Sequence, residues 1–515
     1  MKKDNHNELK KLSFVEKIGS KIPDPVMIFI GLFVIVMILT AFMGGTTFIT
    51  QGNDGTETVN TIKNMFTNEN IRWLFDNAIL TNWLAYAGGI LGTILIVMFG
   101  IGIAEESGLL ATLIKKLGGN IAERFMPYLL VFLGIMSNIA SDAGYVILIP
   151  LAGLLYLGMK KNPLIGMFAA FAGVSAGFSA NLVPATVIDV IMGKNALGFA
   201  EAQGVPFVNG AGEALNPYTM HYFFMVASTI MLVVLGGFVT NKFIKPKFEK
   251  IDYTVPEDMD MSDFKISDAD KKGLRWAGIG FLLSAAFVVF LAMGPLAPYT
   301  NEAGSEVTPF LDNIIILITI IFFTSGVFYG FGSKKFKNSQ DVVSAMSKQI
   351  GSMGYTIVLT FFSYNFLALL SYTGLGTYIT YLGATGLQSL GLSNHPYLLI
   401  IAFIIVTAII NLFVGGLTSK WLLLGPIFIP MLYQANASMT PDVVSAAYRL
   451  ADSATNIVTP LMTYAGVILV FMRKYKKDFS IANLMSAMFP YSITFLVAWT
   501  ALLLAFIKFG IPLGF

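Results

Sequence analysis

The sequence contains no cysteine, only three histidines and few charged residues, which make up 12% of its 515 positions. Without cysteine, disulfides and thiolate chemistry are excluded. The histidines form no metal-binding pattern, and signatures of a phosphate-binding loop, a nucleophile elbow or a metal-binding helix are missing. A net charge of +3 is too small to indicate a nucleic-acid partner. We therefore expect neither an enzyme nor a resident cofactor.

Apolar residues dominate the chain instead. They make up 55% of the sequence, and the mean hydropathy is +0.71. Apolar runs of about 20 residues are typical of helices that cross a lipid bilayer. The composition predicts an all-α integral membrane protein, and we interpret nine apolar stretches as transmembrane helices.

Two further segments, residues 126–159 and 397–434, have apolar arms that are too short to cross. An arm of about 14 residues covers about 21 Å, whereas the hydrocarbon core is about 30 Å thick. The polar tips SNIASD and GGLTSK separate the arms of the two segments. We interpret both segments as re-entrant hairpins.

The lysine and arginine positions orient the chain. If the N-terminus is cytoplasmic, most of the 33 lysine and arginine residues fall on the cytoplasmic side, as the positive-inside rule requires. The C-terminus then lies outside, and we expect a multi-pass protein of the cytoplasmic (inner) membrane. The predicted divisions are a cytoplasmic N-terminal segment 1–25, a first half 26–240, a cytoplasmic linker 241–273 and a second half 274–515.

The stretch RLADSATNIVTPLMTYAG places polar side chains inside a long apolar segment. Ionisable residues at that depth cost about 3 kcal/mol each on insertion scales, so they usually face protein or a water-filled path. Arg449, Asp452 and Asn456 fall on one helix face. Pro460 should interrupt the helix, so we interpret residues 440–472 as a broken helix at the bilayer midplane. The alternative is a buried Arg–Asp pair that only fixes packing.

A similar interruption occurs in the first half. The stretch SANLVP, which begins at Ser179 and contains Asn181, has the same order of small residues, asparagine and proline, so residues 163–192 are a second candidate broken helix. Each half also has an upstream polar tip, with Asn138 in the first and Asn411 in the second, at nearly equal offsets. These pairs predict an inverted repeat and are typical of the midplane site of a secondary transporter.

Oxygen-bearing side chains at the tips and breaks can replace the hydration shell of a cation. The predicted cation-coupling residues are Asn138, Ser141, Asn181, Asn411, Thr418 and Asn456. The four asparagines are the candidate ligands of a bound Na⁺. Helix capping uses the same residue types and is the alternative for each of them.

The remaining polar candidates point to an anionic ligand. Asp452 is predicted to carry a proton or bind Na⁺, because a desolvated carboxylate can take up a cation, whereas Arg449 would favour its ionised form. Arg449 could bind a carboxylate with two hydrogen bonds. Trp421 could stack on an aryl ring or serve as a packing residue. His221 could carry protons, and the alternative is a hydrogen-bonded helix histidine.

Two other functional classes remain as alternatives. An ion channel could use the same polar interruptions without saturable transport. A membrane enzyme would need paired carboxylates or a histidine-containing catalytic set facing one cavity. The acidic candidates Asp142, Asp189 and Asp452 lie on separate segments, which disfavours an enzyme.

Four segments resemble the signature segments of the AbgT family, the aminobenzoyl-glutamate transporters, in order over nearly the whole chain. They are SNIASDAGYVILIPLAG, AFAGVSAGFSANL, NLFVGGLTSKWLLLGPIFIPML and AAYRLADSATNIVTPLMTYAG. The resemblance implies a homodimer whose subunits have nine membrane helices and two hairpins. It also implies transport of p-aminobenzoyl-glutamate coupled to Na⁺ or H⁺ and, for some members, efflux of sulfonamide antimetabolites.

The resemblance also assigns substrate-site positions of the family to residues of this chain. They are Thr418 (a serine in the usual form of the family), Trp421, Pro441, Arg449, Asp452 and Pro460. One motif departs, because the family reads SANLxxGTID and this chain reads SANLVPATVID. Ile188 falls where the family has aspartate, and Asp189 follows one position later. Either Asp189 takes that role in coupling through a local bulge, or the carboxylate is lacking.

Overall fold

The computed structural model describes residues 23–51, 57–117, 122–140, 144–255, 266–300, 306–412, 416–459 and 464–515. Within these ranges the protein is predominantly helical, as its composition predicts. Two short antiparallel hairpins are also present: β1 (Thr47–Gln51) pairs with β2 (Glu57–Thr61), and β3 (Tyr299–Thr300) pairs with β4 (Glu306–Val307).

Some of the helices between residues 25 and 248 begin at residues that suit a helix N-terminus. The Asp24 side chain accepts a hydrogen bond from the Val26 backbone, and Asn162 does the same for Leu164. A proline follows each of these two caps at the first helical position, where its missing N–H costs nothing. The helices are α1 (Pro25–Met43), α2 (Asn68–Asn77), α3 (Ile90–Glu106), α4 (Leu109–Leu117), α5 (Met126–Ser137), α6 (Ile149–Gly158), α7 (Pro163–Phe171), α8 (Val187–Ala202), α9 (Tyr222–Val239) and α10 (Lys245–Phe248).

The helices of the linker and second half use the same start signals. Capping boxes begin α11 at Ser267 and α21 at Ser480, where each serine exchanges hydrogen bonds with the residue three positions later. The helices are α11 (Asp268–Met293), α12 (Pro309–Asp312), α13 (Ile314–Gly332), α14 (Ser339–Ser352), α15 (Gly354–Tyr372), α16 (Leu375–Ser389), α17 (Pro396–Asn411), α18 (Leu417–Ala435), α19 (Pro441–Thr455), α20 (Ala465–Arg473) and α21 (Ile481–Lys508).

Several helical segments are long and apolar enough to cross a membrane. Among the described residues there are six: Pro25–Met43, Tyr222–Phe248, Asp268–Met293, Ile314–Gly332, Gly354–Tyr372 and Ile481–Lys508. Large apolar side chains point outward from them, including Phe290 and Val497, which are each 64% exposed. Such an outer surface matches hydrocarbon and not water.

Shorter apolar helices occupy the two predicted hairpins. In the first, α5 and α6 flank the tip region, where the helix tightens over Asn138–Ala140 and is wide and π-helical over Gly144–Leu148. In the second, α17 ends at Asn411 and α18 begins at Leu417. Each segment therefore consists of two helical arms around a polar tip.

Both predicted broken helices are interrupted in the structure. After α7, a π-helical turn over Ala172–Ala176 ends the helix, and α8 begins only at Val187. After α19, a short 3₁₀ turn covers Asn456–Val458, and α20 begins at Ala465. The first interruption thus begins just before Ser179, and the second begins just after Ser453.

Glycines let the first hairpin arm approach the first interruption closely. A Cβ atom at Gly173 would lie 2.3 Å from the carbonyl oxygen of Val131, and one at Gly134 would lie 2.7 Å from the backbone nitrogen of Val174. Only glycine fits such backbone contact, which is how small residues bring membrane helices together. The small residues of the GVSAG stretch therefore fix the packing of α5 against the interruption.

A charged cluster ties the base of the first hairpin to the linker. Glu123 lies 2.7 Å from the Lys245 ammonium and 3.4 Å from that of Lys161, which is also 3.4 Å from Glu249. The hydrogen bond from Lys245 lowers the pKa of Glu123 from its ordinary value of 4.5. Ionised Glu123 therefore stabilises this contact.

The substitution E123Q tests that contact. Because the pKa of Glu123 is lower in the folded protein, its stabilisation is complete above about pH 4.5 and is lost as the pH falls through the folded-state pKa. We expect E123Q to lower the free energy of unfolding at pH 7 by less than about 1 kcal/mol, since the cluster is partly exposed. Thermal unfolding at several pH values measures this, with the exposed Glu57→Gln as control. A difference that persists unchanged down to acidic pH would contradict it.

Candidate functional site

Helix α19 forms the centre of the site. All of its residues, Pro441 to Thr455, are buried. The side chains of Asp442, Arg449 and Asp452 on this helix are therefore removed from solvent, which is costly unless each charge is paired. The surrounding helices supply partners for Arg449 and Asp452, and Asp442 Oδ1 accepts a hydrogen bond from Thr440 Oγ1 at 2.5 Å.

Arg449 is paired with Asp189 of α8. One guanidinium nitrogen, Nη2, lies 2.8 Å from Asp189 Oδ1 and also donates to the backbone oxygen of Ser179 at 3.3 Å. The alternative considered from the sequence, a pair between Arg449 and Asp452 on the same helix, is not the pair that the structure forms. A partner from another helix approaches Arg449 instead.

The position of Asp189 follows from the way α8 begins. Thr186 is the N-cap, and Asp189 is the third helical residue of a capping box, in which its Oδ2 accepts from the Thr186 backbone at 2.9 Å. The other oxygen, Oδ1, remains to face Arg449. Asp189 and not Ile188 therefore presents a carboxylate to the site, by helix capping and without a bulge.

His221 holds the other side of Arg449. Its Nδ1 atom lies 3.1 Å from Arg449 Nη1, and its Nε2 atom lies 3.0 Å from both the Asp442 carbonyl oxygen and Ser445 Oγ. Arginine can only donate, so Nδ1 must be the acceptor and Nε2 carries the proton. His221 is thus a neutral, hydrogen-bonded histidine that orients Arg449, which supports the alternative to a proton carrier.

Lys420 is the partner of Asp452. Its ammonium lies 2.5 Å from Asp452 Oδ1 and donates a hydrogen bond to Asn411 Oδ1, and the Lys420 and Asp452 side chains are 1% and 0% exposed. The sequence analysis gave Lys420 no function. The sequence does contain an indication, because a lysine within an apolar helix needs a specific partner.

Asn411 connects the second hairpin to the second interruption. Its amide nitrogen donates to the Asp452 carbonyl oxygen at 2.7 Å, to Thr455 Oγ1 at 2.7 Å and to Asn456 Oδ1 at 3.1 Å. Asn456 in turn donates to Asp452 Oδ2 at 3.4 Å. Two of the four predicted asparagines therefore meet around Asp452.

The other two asparagines make local hydrogen bonds. Asn138 donates to carbonyl oxygens of the preceding helical turn, and Asn181 Oδ1 accepts from the Val183 backbone at 2.9 Å. Both contacts are of the capping type. Among the contacts of the described residues, Asn411 and Asn456 are the two predicted asparagines that meet, and a shared Na⁺ site for all four stays a prediction.

The two interruptions nevertheless touch each other. Ser453 Oγ donates to Ser179 Oγ at 2.6 Å. These serines occupy matching positions in the patterns SAN and SATN. The contact places the residues before the two interruptions next to each other, beside Arg449.

The remaining predicted residues lie around this centre or outside the described ranges. Thr418 is half-buried in the first turn of α18, two residues before Lys420. Pro441 begins α19, and its carbonyl oxygen accepts from Ser445 Oγ at 2.6 Å. The predicted residues Ser141, Asp142 and Pro460 lie outside the described residues.

Trp421 is fully buried, and its ring is packed on two sides. It contacts Phe199 edge-on at 5.6 Å between ring centroids and Tyr448 at 4.8 Å, and its Nε1 donates to the Met192 carbonyl oxygen at 3.3 Å. In this conformation the indole stabilises packing between α8, α18 and α19. This favours the packing alternative over direct stacking on a ligand.

Two substitutions separate packing from recognition at Trp421. We expect W421A to lower the free energy of unfolding by about 3–5 kcal/mol, because it leaves a cavity. We expect W421F to cost only about 1–2 kcal/mol, mainly the hydrogen bond to Met192. Thermal unfolding measures both. A loss of ligand binding in W421F without a loss of stability would instead assign the indole to the ligand.

An aromatic cavity lies next to this packed layer. It has a volume of about 330 Å³, within the size range of small-molecule sites. Trp73 and Tyr372, stacked at 3.7 Å, form one wall, and Phe199 and Gln203 form another. Phe199 also contacts Trp421, so one aromatic side chain separates the cavity from the packed centre.

These features define a class of protein. The chain is a helical membrane protein in which interrupted helices bring buried ion pairs together, the arrangement used by membrane transporters. It belongs to the AbgT putative transporter family, whose model matches residues 10–515. The resemblance seen in the sequence motifs is confirmed.

Similar proteins support the same assignment. The chain is 30% identical over 516 residues to the p-aminobenzoyl-glutamate transport protein of Escherichia coli (strain K12), covering 98% of this chain and 96% of that protein. The YdaH transporter of Alcanivorax borkumensis has a TM-score of 0.85 and 32% identity, covering 96% of this chain and 100% of that structure. MtrF of Neisseria gonorrhoeae, which represents a class of antimetabolite efflux pumps, has a TM-score of 0.80 and 33% identity, covering 95% and 96%.

Proposed function

We propose that this protein is a cation-coupled secondary transporter that moves p-aminobenzoyl-glutamate or a related aryl carboxylate across the cytoplasmic membrane. The observation that carries the proposal is the pair of buried ion pairs, Arg449–Asp189 and Lys420–Asp452, around the interrupted helices. The full-length relationship to the E. coli transport protein supports this substrate.

Charge balance supports the coupling to a cation. Each of the two ion pairs joins one cation to one carboxylate, so together they are neutral. Bringing an unpaired ion into such a dry site costs several kcal/mol. An anionic substrate therefore enters more readily with a compensating cation, and Na⁺ or H⁺ is the proposed coupling ion. Asp452, Asn411 and Asn456 are the residues we propose to accept it.

We further propose the topology predicted from the sequence. Nine transmembrane helices and two re-entrant hairpins form an inverted repeat, divided by the cytoplasmic linker 241–273, with the N-terminus inside and the C-terminus outside. The contact between Ser179 and Ser453, which are matching positions of the two halves, supports the repeat. A homodimer is the assembly that the family resemblance implies.

The test is transport by the purified protein in proteoliposomes. A Na⁺ gradient and a proton gradient are imposed in separate experiments, and accumulation of labelled p-aminobenzoyl-glutamate is measured against vesicles without a gradient. We expect saturable accumulation with one of the two ions. Conductance without saturable counterflow would indicate a channel and overturn the proposal.

Efflux of sulfonamide antimetabolites is the second candidate function. The similarity to MtrF over 95% of this chain favours it. Proton-driven efflux would confer sulfonamide resistance on a sensitive host, and R449A or W421A would remove that resistance. The same cells should be assayed for p-aminobenzoyl-glutamate transport, because resistance without such transport would make efflux the main function.

A further inference from the structure

We propose that Lys420 and Arg449 are the two carboxylate-binding positions of a single dicarboxylate subsite, and that internal aspartates occupy both positions in this conformation. The inference rests on the proposed function, because p-aminobenzoyl-glutamate ends in a glutamyl group with two carboxylates. Arg449 would bind one of them and Lys420 the other. Lys420 would thus determine the preference for a dicarboxylate over a monocarboxylate.

The burial of Lys420 indicates more than a structural ion pair. Its side chain is 1% exposed, and its ammonium contacts only oxygens that a substrate carboxylate can replace, Asp452 Oδ1 and Asn411 Oδ1, among the contacts of the described residues. An apolar pair of similar volume would often be at least as stable as a buried ion pair. A chain that places lysine here instead gains a cation at the centre of the membrane.

Lys420 contacts α19 at a residue one helical turn away from Arg449. Lys420 of α18 contacts Asp452 of α19, and Arg449 precedes Asp452 by three residues on α19. Residues at this spacing share one face, with a rise of about 4.5 Å between them. The carboxylates of a glutamyl group are joined by a short aliphatic chain, so both can reach adjacent turns of a helix.

The guanidinium of Arg449 has a donor to spare. Within the described part of the chain, its Nε has no hydrogen-bond partner, although Arg449 is 4% exposed. Nη1 is engaged by His221, and Nη2 by Asp189 and the Ser179 backbone. A carboxylate that displaced Asp189 would gain Nε as well as Nη2, which is the two-point geometry that arginine offers to carboxylates.

The aromatic layer supplies a place for the aryl end of the same ligand. Trp421 follows Lys420 directly, and it contacts Phe199, which also lines the 330 Å³ cavity. The ligand would then lie with its carboxylates toward α19 and its ring toward the cavity. This orientation places the charged end in the dry centre and the ring among aromatic side chains.

The experiment compares two ligands that differ by one carboxylate, p-aminobenzoyl-glutamate and p-aminobenzoyl-glycine. Their dissociation constants are measured calorimetrically on the full-length protein in nanodiscs, for the wild type, K420M and the control K194M. Lys194 is also a buried lysine, 8% exposed, but it lies on α8 and contacts Tyr218. We expect K420M to weaken binding of the glutamate compound about tenfold or more, the usual loss for a charge-assisted hydrogen bond, and to change binding of the glycine compound less than about twofold.

The outcomes distinguish failure of the proposed role of Lys420 from failure of the proposed function. An equal loss for both ligands, or no loss for either, would overturn the role of Lys420 and leave the proposed function standing. Failure of the wild type to bind either ligand would overturn the proposed function and the subsite with it. If K420M does not fold, the variant K420M/D452N removes both charges of the pair, and it should still lose the preference for the glutamate compound. K194M should keep that preference.

Discussion

Replacing Arg449 by methionine is expected to lower the free energy of unfolding by about 3–5 kcal/mol, because Asp189 would remain buried without its partner. D189N should also destabilise, since Arg449 would then lack its counter-charge. The double variant R449M/D189N removes both charges and should recover much of that stability. Thermal or denaturant unfolding of the purified protein in detergent measures the three differences. The two variants that lack Arg449 should lose transport, because Arg449 is a proposed carboxylate-binding residue.

The matched control for this cycle is R449M/D452N. If Arg449 were paired with Asp452, the alternative considered from the sequence, D452N would rescue R449M and D189N would not. The structure places Asp189 2.8 Å from Arg449 and places Lys420 beside Asp452. D452N should therefore add to the loss in R449M, because it leaves Lys420 unpaired as well. Rescue by D452N would show that the ion pairs are assigned wrongly.

The predicted fold came from features that act locally. Apolar length, polar tips and proline positions mark where a chain can span, turn or break, and the helix ends lie close to the predicted ones. For example, the segment predicted as the first hairpin, 126–159, contains the helices Met126–Ser137 and Ile149–Gly158, and the segment predicted as the second, 397–434, corresponds to Pro396–Asn411 and Leu417–Ala435. Signals of this kind need no knowledge of which helices are neighbours.

The partners of the buried charges were harder to predict, because they depend on tertiary contacts. Arg449 and Asp452 share a helix face, so a local pair was an alternative in the sequence analysis, yet each finds a partner from another helix. Asp189 was left ambiguous because the one-residue shift in SANLVPATVID reads as a defect until the capping box with Thr186 is seen. Such pairs join residues that are far apart in the sequence, so local sequence patterns do not reveal them.

The asparagines show the same limit. Asn411 and Asn456 meet at the site, whereas Asn138 and Asn181 make capping contacts. Capping and cation binding use the same oxygens, so residue type cannot separate them. The matching positions that do touch are Ser179 and Ser453. The repeat pattern thus identified the two segments that meet. The contact between them is made by Ser179 and Ser453, which precede Asn181 and Asn456 in the sequence.

Asparagine in place of Asp452 should uncouple transport while leaving the substrate site in place. The amide can keep a hydrogen-bonding oxygen near Asn456, but Lys420 would no longer be neutralised. A substrate carboxylate could then pair with Lys420 without displacing an internal carboxylate, so its entry would no longer need a compensating cation. We expect gradient-driven accumulation of p-aminobenzoyl-glutamate to fall about tenfold or more, in line with coupling energies of about 1–3 kcal/mol.

Exchange of labelled for unlabelled substrate across the vesicle membrane separates this effect from simple damage. Exchange needs only binding and reorientation, so D452N should retain it while losing accumulation. D478N is the matched control, since Asp478 is 79% exposed and pairs with Lys476 at 3.2 Å outside the site. Loss of both exchange and accumulation would mean that Asp452 is needed for folding or binding, and unchanged accumulation would exclude it from coupling. Because the ion that drives the wild type is measured with the same vesicles, the loss in D452N can be assigned to that ion alone.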